Sequence, residues 1–303
     1  MKLFRVTSDT TKGIFALLGA TFLYSVFGIL LRTVGSEIPP FYANVTRSTV
    51  ATLLFLPLLR YAGGFPHMSK RDMPWIFFRT LAGTISILLF STSVNHLPIN
   101  VTYFIFYGGS TIGGYILGRI MMNETITSLK YAALVLAFVG LGLVYHVTAL
   151  THDPLYLGLA FVCGISTAFW NISPKKLKGT LSDIQLSFLD NALSIGLCIL
   201  PSLFFRETWI LPTLTNAWVA NITIGVLFVI TGIQVVYGFR RLDAQVGSII
   251  MLSEVIFAVI ASYLLYNEML TISTFFGGLC IIMAIILPEI NWKSVIKPYA
   301  DRR

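Results

Sequence analysis

Residues 245–270 read QVGSIIMLSEVIFAVIASYLLYNEML, an apolar run long enough to cross a bilayer and interrupted near its middle by the carboxylate of Glu254. Moving such a charge into hydrocarbon costs roughly 2.5–3.5 kcal/mol on insertion scales, so acidic residues at this depth normally face a partner or a watery cavity. Glu254 lies about ten residues, or ~15 Å, from either end of the run, too far to reach water along the helix. The run therefore predicts a membrane helix with a functional carboxylate near its centre.

The composition of the whole chain is that of a membrane protein. Of its 303 residues, 56% are hydrophobic and 11% are charged, and the mean hydropathy is +0.81. A soluble domain carries about 25% charged residues, so burying this chain in one soluble core is implausible. At about 20 apolar residues per crossing, the chain has room for ten helices and for no separate soluble domain.

Ten apolar runs of spanning length alternate with short segments that carry turn-forming or charged residues. The runs cover about 13–32, 40–59, 74–95, 99–121, 128–147, 155–173, 184–205, 217–238, 244–266 and 271–288. With the N-terminus inside the cell, sixteen of the 21 Lys and Arg residues fall on the cytoplasmic side, and only Arg32 and Arg206 fall on the other. This bias predicts a multi-pass integral membrane protein with cytoplasmic N- and C-termini.

Several other classes of protein are disfavoured by the sequence. The net charge of +8 comes from short basic clusters between apolar runs, which membrane orientation explains better than nucleic-acid binding does. Cys163, Cys198 and Cys280 stand singly in apolar runs without metal-ligand spacing, so we expect no metal and no cofactor. The first run lacks a cleavage site at its end and predicts a retained helix. No metalloprotease, serine-nucleophile or Walker A motif occurs, so we expect neither an enzyme nor an ATP-driven pump.

A shift of 144 residues aligns the two halves of the chain. It places Asn123-Glu124 on Asn267-Glu268 without gaps. Two halves of five helices each must be inverted relative to one another, an arrangement typical of secondary transporters with a substrate site near the midplane. We therefore predict an all-α membrane protein of ten transmembrane helices in two inverted five-helix repeats. The repeats are residues 1–150 and residues 151–303, the second with a short basic tail.

Short motifs recur near the end of each half. They are Ser253-Glu254, Asn267-Glu268 and Gly277-Gly278 in the second half, and Asn123-Glu124, Gly140 and Gly142 in the first. In these motifs and in its layout the chain resembles the EamA-type members of the drug/metabolite transporter superfamily. It departs from them at Val255, where proline is common, and at Gly109-Ser110, where the first half often carries proline. The resemblance implies a secondary transporter and favours export of amino acids or related metabolites across the inner (plasma) membrane of a prokaryotic cell.

The candidate substrate-binding residues are polar and aromatic side chains at middle depth. They are Glu254, Arg79, Tyr24, Tyr107, Ser110, Trp170, Gln234 and Ser86, with Arg47, Asp190, Asn191 and Tyr103 as secondary candidates. We expect Glu254 to bind an ammonium group or carry a proton, because removal from water disfavours the charged form of a carboxylate. Arg79 would hold a carboxylate or phosphate, although both Arg79 and Asp190 are close enough to a helix end to be structural instead. The aromatic side chains would stack on a ring or a cation.

The leading functional hypothesis is a secondary active transporter of a small polar or zwitterionic, amino-acid-like metabolite that works by alternating access. The alternatives are an exchanger of S-adenosylmethionine or of nucleotides and nucleotide sugars and, in other classes, an intramembrane enzyme or a channel. The expected partners are a small-molecule substrate, the lipid bilayer and, as a candidate coupling ion, a proton. The Gly109-xxx-Gly113 and Gly114-xxx-Gly118 faces fit either a monomer or a homodimer. The runs at 128–147 and 271–288 lack polar stripes, so we expect them at the periphery.

Overall fold

Every apolar run contains helix in the computed structural model, which describes residues 8–65, 68–145, 153–266 and 271–289. No strand occurs in these residues. The helices are α1 (Ser8–Tyr24), α2 (Phe27–Gly35), α3 (Pro40–Tyr61), α4 (Met73–His96), α5 (Ile99–Met122), α6 (Ser128–Tyr145), α7 (Pro154–Ile172), α8 (Asp183–Phe204), α9 (Asn216–Phe239), α10 (Ala244–Met251), α11 (Ser253–Tyr266) and α12 (Ile272–Ile286). The predicted motif Asn267-Glu268 and the basic tail after residue 289 lie outside the described residues.

Seven helical segments of the described chain are long and apolar enough to cross a membrane. They are Asp9–Gly35, Met73–His96, Ser128–Tyr145, Pro154–Leu177, Asp183–Phe204, Asn216–Phe239 and Ala244–Ala261. The helices α3 and α5, with 22 and 24 residues, are not among them, and α12 is shorter, with 15. The chain is thus an all-helical protein with several spanning helices, whereas the total of ten spans stays a prediction.

Two of the predicted runs are broken near their middle. The first run divides between α1 and α2 at residues 25–26, and the ninth divides between α10 and α11 at Leu252. At Leu252 the backbone tightens, because its N–H donates to the carbonyl of Ile249 and its own carbonyl accepts from Val255. The hydroxyls of Thr21 and Ser253, 2.7 Å apart, join α1 to this second break. Neither break contains proline, the residue that most often interrupts a helix.

Small residues let the helices around the centre approach closely. A Cβ atom on Gly109 would lie 2.5 Å from the carbonyl oxygen of Phe161, so α5 and α7 touch through their backbones. The helices α6 and α12 pack against each other in a similar way, since a Cβ on Gly140 would lie 2.8 Å from the carbonyl oxygen of Gly277. Both glycine faces that we considered for oligomerisation, Gly109–Gly113 and Gly114–Gly118, are packed against α7 and α10 of the same chain.

The two ends of the helix bundle are joined differently. We call the end that carries residues 62–65, 68–72, 123–127, 173–182 and 240–243 the basic end. Three ion pairs connect different segments at this end: Lys130 with Asp243 at 2.7 Å, Arg240 with Asp183 at 2.5 Å, and Lys175 with Glu124. At the opposite end of the bundle, Glu207 instead accepts from the backbone N–H groups of Phe41 and Tyr42. Charged side chains therefore tie the segments together mainly at the basic end.

Candidate functional site

A cavity of about 150 Å³ lies among the helices at middle depth. Its lining comes from α1–α5 and α7–α11, and in the described part of the chain α6 and α12 contribute none of it, in agreement with the predicted peripheral position of those two runs. The polar and ionisable lining residues are Tyr24, Asn44, Ser48, Thr80, Thr84, Ser86, Tyr103, Tyr107, Ser110, Thr167, Trp170, Asn171, Ser187, Asp190, Asn191, Ser194, Thr231 and Glu254. Hydroxyls, amides and aromatic rings thus make up most of the polar wall.

Glu254 lies in the first turn of α11, directly after the break at Leu252. Glu254 is only 6% exposed, and its carboxylate forms no ion pair with any described residue. The hydroxyls of Tyr103 and Tyr107 face its carboxylate from α5. The hydroxyl of Tyr107 has no hydrogen-bond partner of ordinary geometry within the described chain. The carboxylate of Glu254, which has no cationic partner among the described residues, and the hydroxyl of Tyr107 can therefore form hydrogen bonds with the polar groups of a ligand.

Aromatic rings surround this carboxylate. The ring of Tyr103 lies 5.9 Å from that of Tyr107, nearly parallel to it, and 5.3 Å from that of Phe90, nearly perpendicular. Phe90 also meets Phe106 edge-on at 5.1 Å. The hydroxyl of Tyr103 accepts a hydrogen bond from the N–H of Gly28, which fixes the position of the ring. Ring faces beside a carboxylate favour a cation with an apolar body.

The second acidic residue of the cavity, Asp190 on α8, already has a cationic partner. Its carboxylate lies 2.6 Å from the guanidinium of Arg79, which is completely buried. Thr80 and the indole N–H of Trp170 each donate to Asp190 at 3.1 Å. The guanidinium of Arg79 also donates to the backbone carbonyl of Trp170 and lies 5.1 Å from its ring centroid. This cluster joins α4, α7 and α8 beside the cavity.

The comparison with known families decides what kind of protein carries this cavity. The model of the EamA-like transporter family matches residues 11–146 and again residues 155–288, which together make up most of the chain. The chain belongs to the EamA-like transporter family. It is therefore a multi-pass integral membrane protein, and it is a transporter of small molecules and not an enzyme.

Two similar proteins and one solved structure resemble this EamA-like transporter over nearly its full length. The pseudopaline exporter CntI of Pseudomonas aeruginosa, in the strains PAO1 and UCBPP-PA14, is 19% identical over 275 residues. The alignment covers 91% of this chain and 95% of the exporter. A protein of known crystal structure matches with a TM-score of 0.74 at 13% identity, covering 93% of this chain and 96% of that protein. At this identity the solved structure supports the fold alone.

The structure brings together nine of the twelve residues that the sequence suggested for substrate binding. The nine that line the cavity of the EamA-like transporter are Glu254, Tyr24, Tyr107, Ser110, Trp170, Ser86, Asp190, Asn191 and Tyr103. Ser86 on α4 and Thr167 on α7, which both line the cavity, share a hydrogen bond that connects the two helices. The amide N–H group of Asn191 donates to the backbone carbonyl of Ser187 within α8.

The other three candidates lie behind the wall. Gln234 on α9 packs against Gly19 of α1, and its carbonyl oxygen is buried without a hydrogen-bond partner among the described residues. Arg79 faces Asp190, so its guanidinium is not free to hold a substrate anion as the sequence suggested. Arg47 is 1% exposed and lies behind Asn44, which does line the cavity.

The sequence analysis missed nine of the polar lining residues, among them Asn44, Ser48, Thr84 and Ser194. Asn44 donates to Ser194 at 2.8 Å, and Ser194 and Thr84 share a hydrogen bond of 2.9 Å. Asn44 and Ser48 lie four residues apart on one face of α3, a spacing that could have revealed them. Residues 8–65, 68–145, 153–266 and 271–289 contain no group of three His, Cys, Asp or Glu side chains that could hold a metal ion.

Proposed function

We propose that this EamA-like transporter is a secondary active carrier that exports a small polar or zwitterionic, amino-acid-like metabolite by alternating access. The observation that carries the proposal is the carboxylate of Glu254, which is buried in the cavity without a cationic partner among the described residues. Glu254 would bind the ammonium group of the substrate, or carry a proton when no substrate is bound. The sequence has no Walker A motif, so an ion gradient or substrate exchange supplies the energy.

The proposed architecture is ten spans in two inverted halves, residues 1–150 and residues 151–303. Two features support it: α1 with α2 and α10 with α11 each form one broken span, and the family model matches the chain twice. Broken helices at the substrate site are usual in secondary transporters. The basic end would be cytoplasmic, in the inner membrane of a prokaryote, because Lys and Arg concentrate on the cytoplasmic side of such proteins.

The chemistry of the cavity wall distinguishes the proposed substrate from the alternatives. Neither Lys nor Arg is among the lining residues of the described chain, while the rings of Phe90, Tyr103, Phe106 and Tyr107 cluster beside Glu254. Nucleotides and nucleotide sugars carry several negative charges and would need cationic groups at the wall. Pseudopaline is a second candidate substrate, since the similar protein CntI exports it.

The test of this function is a ligand screen followed by counterflow. Purified protein would be screened by thermal shift against amino acids, S-adenosylmethionine, nucleotide sugars and pseudopaline, and the hits would then be assayed for counterflow in proteoliposomes. We expect stabilisation by at least one zwitterionic amino acid or by pseudopaline, and saturable counterflow of the same compound. Stabilisation by nucleotides alone would overturn the proposed substrate class, and single-channel currents without counterflow would overturn the carrier.

A further inference from the structure

A second buried arginine, Arg47 on α3, differs from Arg79 in having no acidic partner among the described residues. It is 1% exposed, and none of the ion pairs in the described chain includes it. A guanidinium stays charged in proteins, and a buried charge is costly unless another charge or a ligand compensates it. Within a membrane helix such a residue normally faces the interior of the bundle and marks a binding path or a charged partner. Arg47 therefore requires a compensating negative charge.

The guanidinium of Arg47 contacts the cavity wall from behind. Its Nε donates to Oδ1 of Asn44 at 3.0 Å, and its central carbon lies 5.9 Å from the ring centroid of Phe228. Asn44, Phe228 and the neighbouring Ser48 all line the cavity. The guanidinium thus contacts two residues of the cavity wall without lining the cavity itself.

The hydrogen bond from Arg47 also sets the direction of a polar chain along the wall. Because Oδ1 of Asn44 accepts from Arg47, the amide N–H groups of Asn44 point the other way and donate to Ser194 at 2.8 Å and to Cys198 at 3.1 Å. Ser194 continues the chain to Thr84 on α4 at 2.9 Å. Hydroxyls at the end of a chain that starts on a cation are polarised as donors and suit an anionic group.

We propose that Arg47 supplies the positive charge that holds the anionic group of the substrate, through the wall formed by Asn44 and Ser194, while Glu254 holds its cationic group. The inference rests on the proposed function and narrows its substrate to zwitterions in which an ammonium and a carboxylate are carried on one small molecule. Arg79 cannot take this role, because Asp190 already neutralises it. Among the described residues, the cavity and the side chains directly behind it then have one charge of each sign without an oppositely charged partner.

The experiment compares amino acids with the amines that remain when their carboxylate is removed. Wild type, Arg47→Gln and Arg47→Lys would be titrated with phenylalanine and phenethylamine, leucine and isoamylamine, and lysine and cadaverine, by thermal shift and by competition in counterflow. We expect wild type to prefer the amino acid of at least one pair by more than tenfold. Arg47→Gln should lose that preference by weakening the amino acid about tenfold and leaving the amine unchanged, and Arg47→Lys should retain part of it.

A second variant tests the charge without removing the arginine. Asn44→Asp would place a carboxylate about 3 Å from the guanidinium and make Arg47 a paired arginine like Arg79. It should therefore keep the fold even if Arg47→Gln does not, and it should lose the preference for the amino acid. Arg32→Gln is the matched control, because Arg32 is an exposed arginine in the last turn of α2. It should leave every preference unchanged.

The outcomes separate this inference from the proposed function. If wild type transports a zwitterion and both Arg47→Gln and Asn44→Asp keep the preference for the carboxylate, the role of Arg47 is wrong and the proposed function stands. Equal weakening of the amino acid and its amine in these variants would also exclude a specific role for Arg47. If wild type neither binds nor transports any zwitterion of the panel, the proposed function fails first and the role of Arg47 fails with it.

Discussion

The cavity wall contains two acidic side chains, and their surroundings are opposite in character. Asp190 on α8 lies 2.6 Å from a buried guanidinium and accepts hydrogen bonds from Thr80 and Trp170. Glu254 on α11 has two tyrosine hydroxyls facing it and no ion pair within the described chain. Both residues are less than 10% exposed, at 8% and 6%. Burial alone therefore does not distinguish them, and the difference lies in their partners.

Because their partners differ, we expect Asp190 to contribute to stability and Glu254 to contribute to transport. A carboxylate that is satisfied by its own protein is costly to disturb and has little capacity left for a ligand. A buried carboxylate without a cationic partner costs stability rather than adding to it, and it remains available to a cation of the ligand. We therefore expect changes at Asp190 to act mainly on folding and changes at Glu254 to act mainly on transport, and the following variants test this division.

The largest effect is expected from Asp190→Ala. This change leaves the fully buried guanidinium of Arg79 without a counter-charge, and breaking a buried pair in this way destabilises proteins by about 3–5 kcal/mol. The measurement is the free energy of unfolding of the purified protein in mixed micelles. Replacing both partners, as in Arg79→Met with Asp190→Leu, should recover most of the loss, because a well-packed apolar pair is often nearly neutral. A loss below about 1 kcal/mol in the single variant would contradict the structural role of the pair.

Glu254→Gln should have the next largest effect, and on transport. Removing one partner of a buried charge contact weakens binding by about 2–5 kcal/mol, so we expect the apparent affinity for a zwitterionic substrate to fall by about a hundredfold. Stability should change by less than ~1 kcal/mol, since no ion pair of the described chain is broken. Counterflow in proteoliposomes at several pH values measures the effect. Unchanged transport with unchanged pH dependence would show that Glu254 has no role in substrate or proton binding.

The all-helical character of the fold could be predicted from the sequence because apolar runs and turn residues carry that information locally. Each of the ten runs contains helix in the described residues, two of them in two pieces, and the glycine faces of α5 are packed as small residues in membrane helices usually are. The breaks at residues 25–26 and at Leu252 could not be predicted, because neither contains proline. At Leu252 the break is accompanied by the contact between Thr21 and Ser253, two residues far apart in the sequence.

The sequence named half of the polar residues that line the cavity, but not how the charged ones pair. Depth in an apolar run identified Glu254, Asp190 and Arg79 as unusual, because charge in hydrocarbon is costly wherever it lies. Which of them neutralise each other depends on the packing of α4 against α8, and no local pattern in the sequence encodes that packing. For the same reason the sequence suggested Arg79 as the anion-binding residue, whereas the structure leaves Arg47 unpaired among the described residues.

Trp170→Phe tests the paired side of the comparison with a smaller change. It removes the indole N–H that donates to Asp190 at 3.1 Å and keeps an aromatic ring beside Arg79. A hydrogen bond to a charged group contributes about 1.5–3 kcal/mol, so we expect a loss near the lower end of that range, because Arg79 and Thr80 still hold the carboxylate. Unfolding in mixed micelles measures it. If transport fell strongly while stability stayed unchanged, Trp170 would belong to the substrate contacts instead.

The smallest and most discriminating change is Tyr107→Phe on the unpaired side. The hydroxyl of Tyr107 is buried without a hydrogen-bond partner of ordinary geometry in the described chain, so its removal should leave stability unchanged or slightly higher. Transport should weaken by about three- to tenfold, corresponding to about 0.7–1.4 kcal/mol, if this hydroxyl binds the substrate beside Glu254. Weaker transport together with unchanged or higher stability is expected only if the hydroxyl binds the ligand. A loss of stability with unchanged transport would instead show that Tyr107 supports the fold, and would place the free binding capacity of the cavity on Glu254 alone.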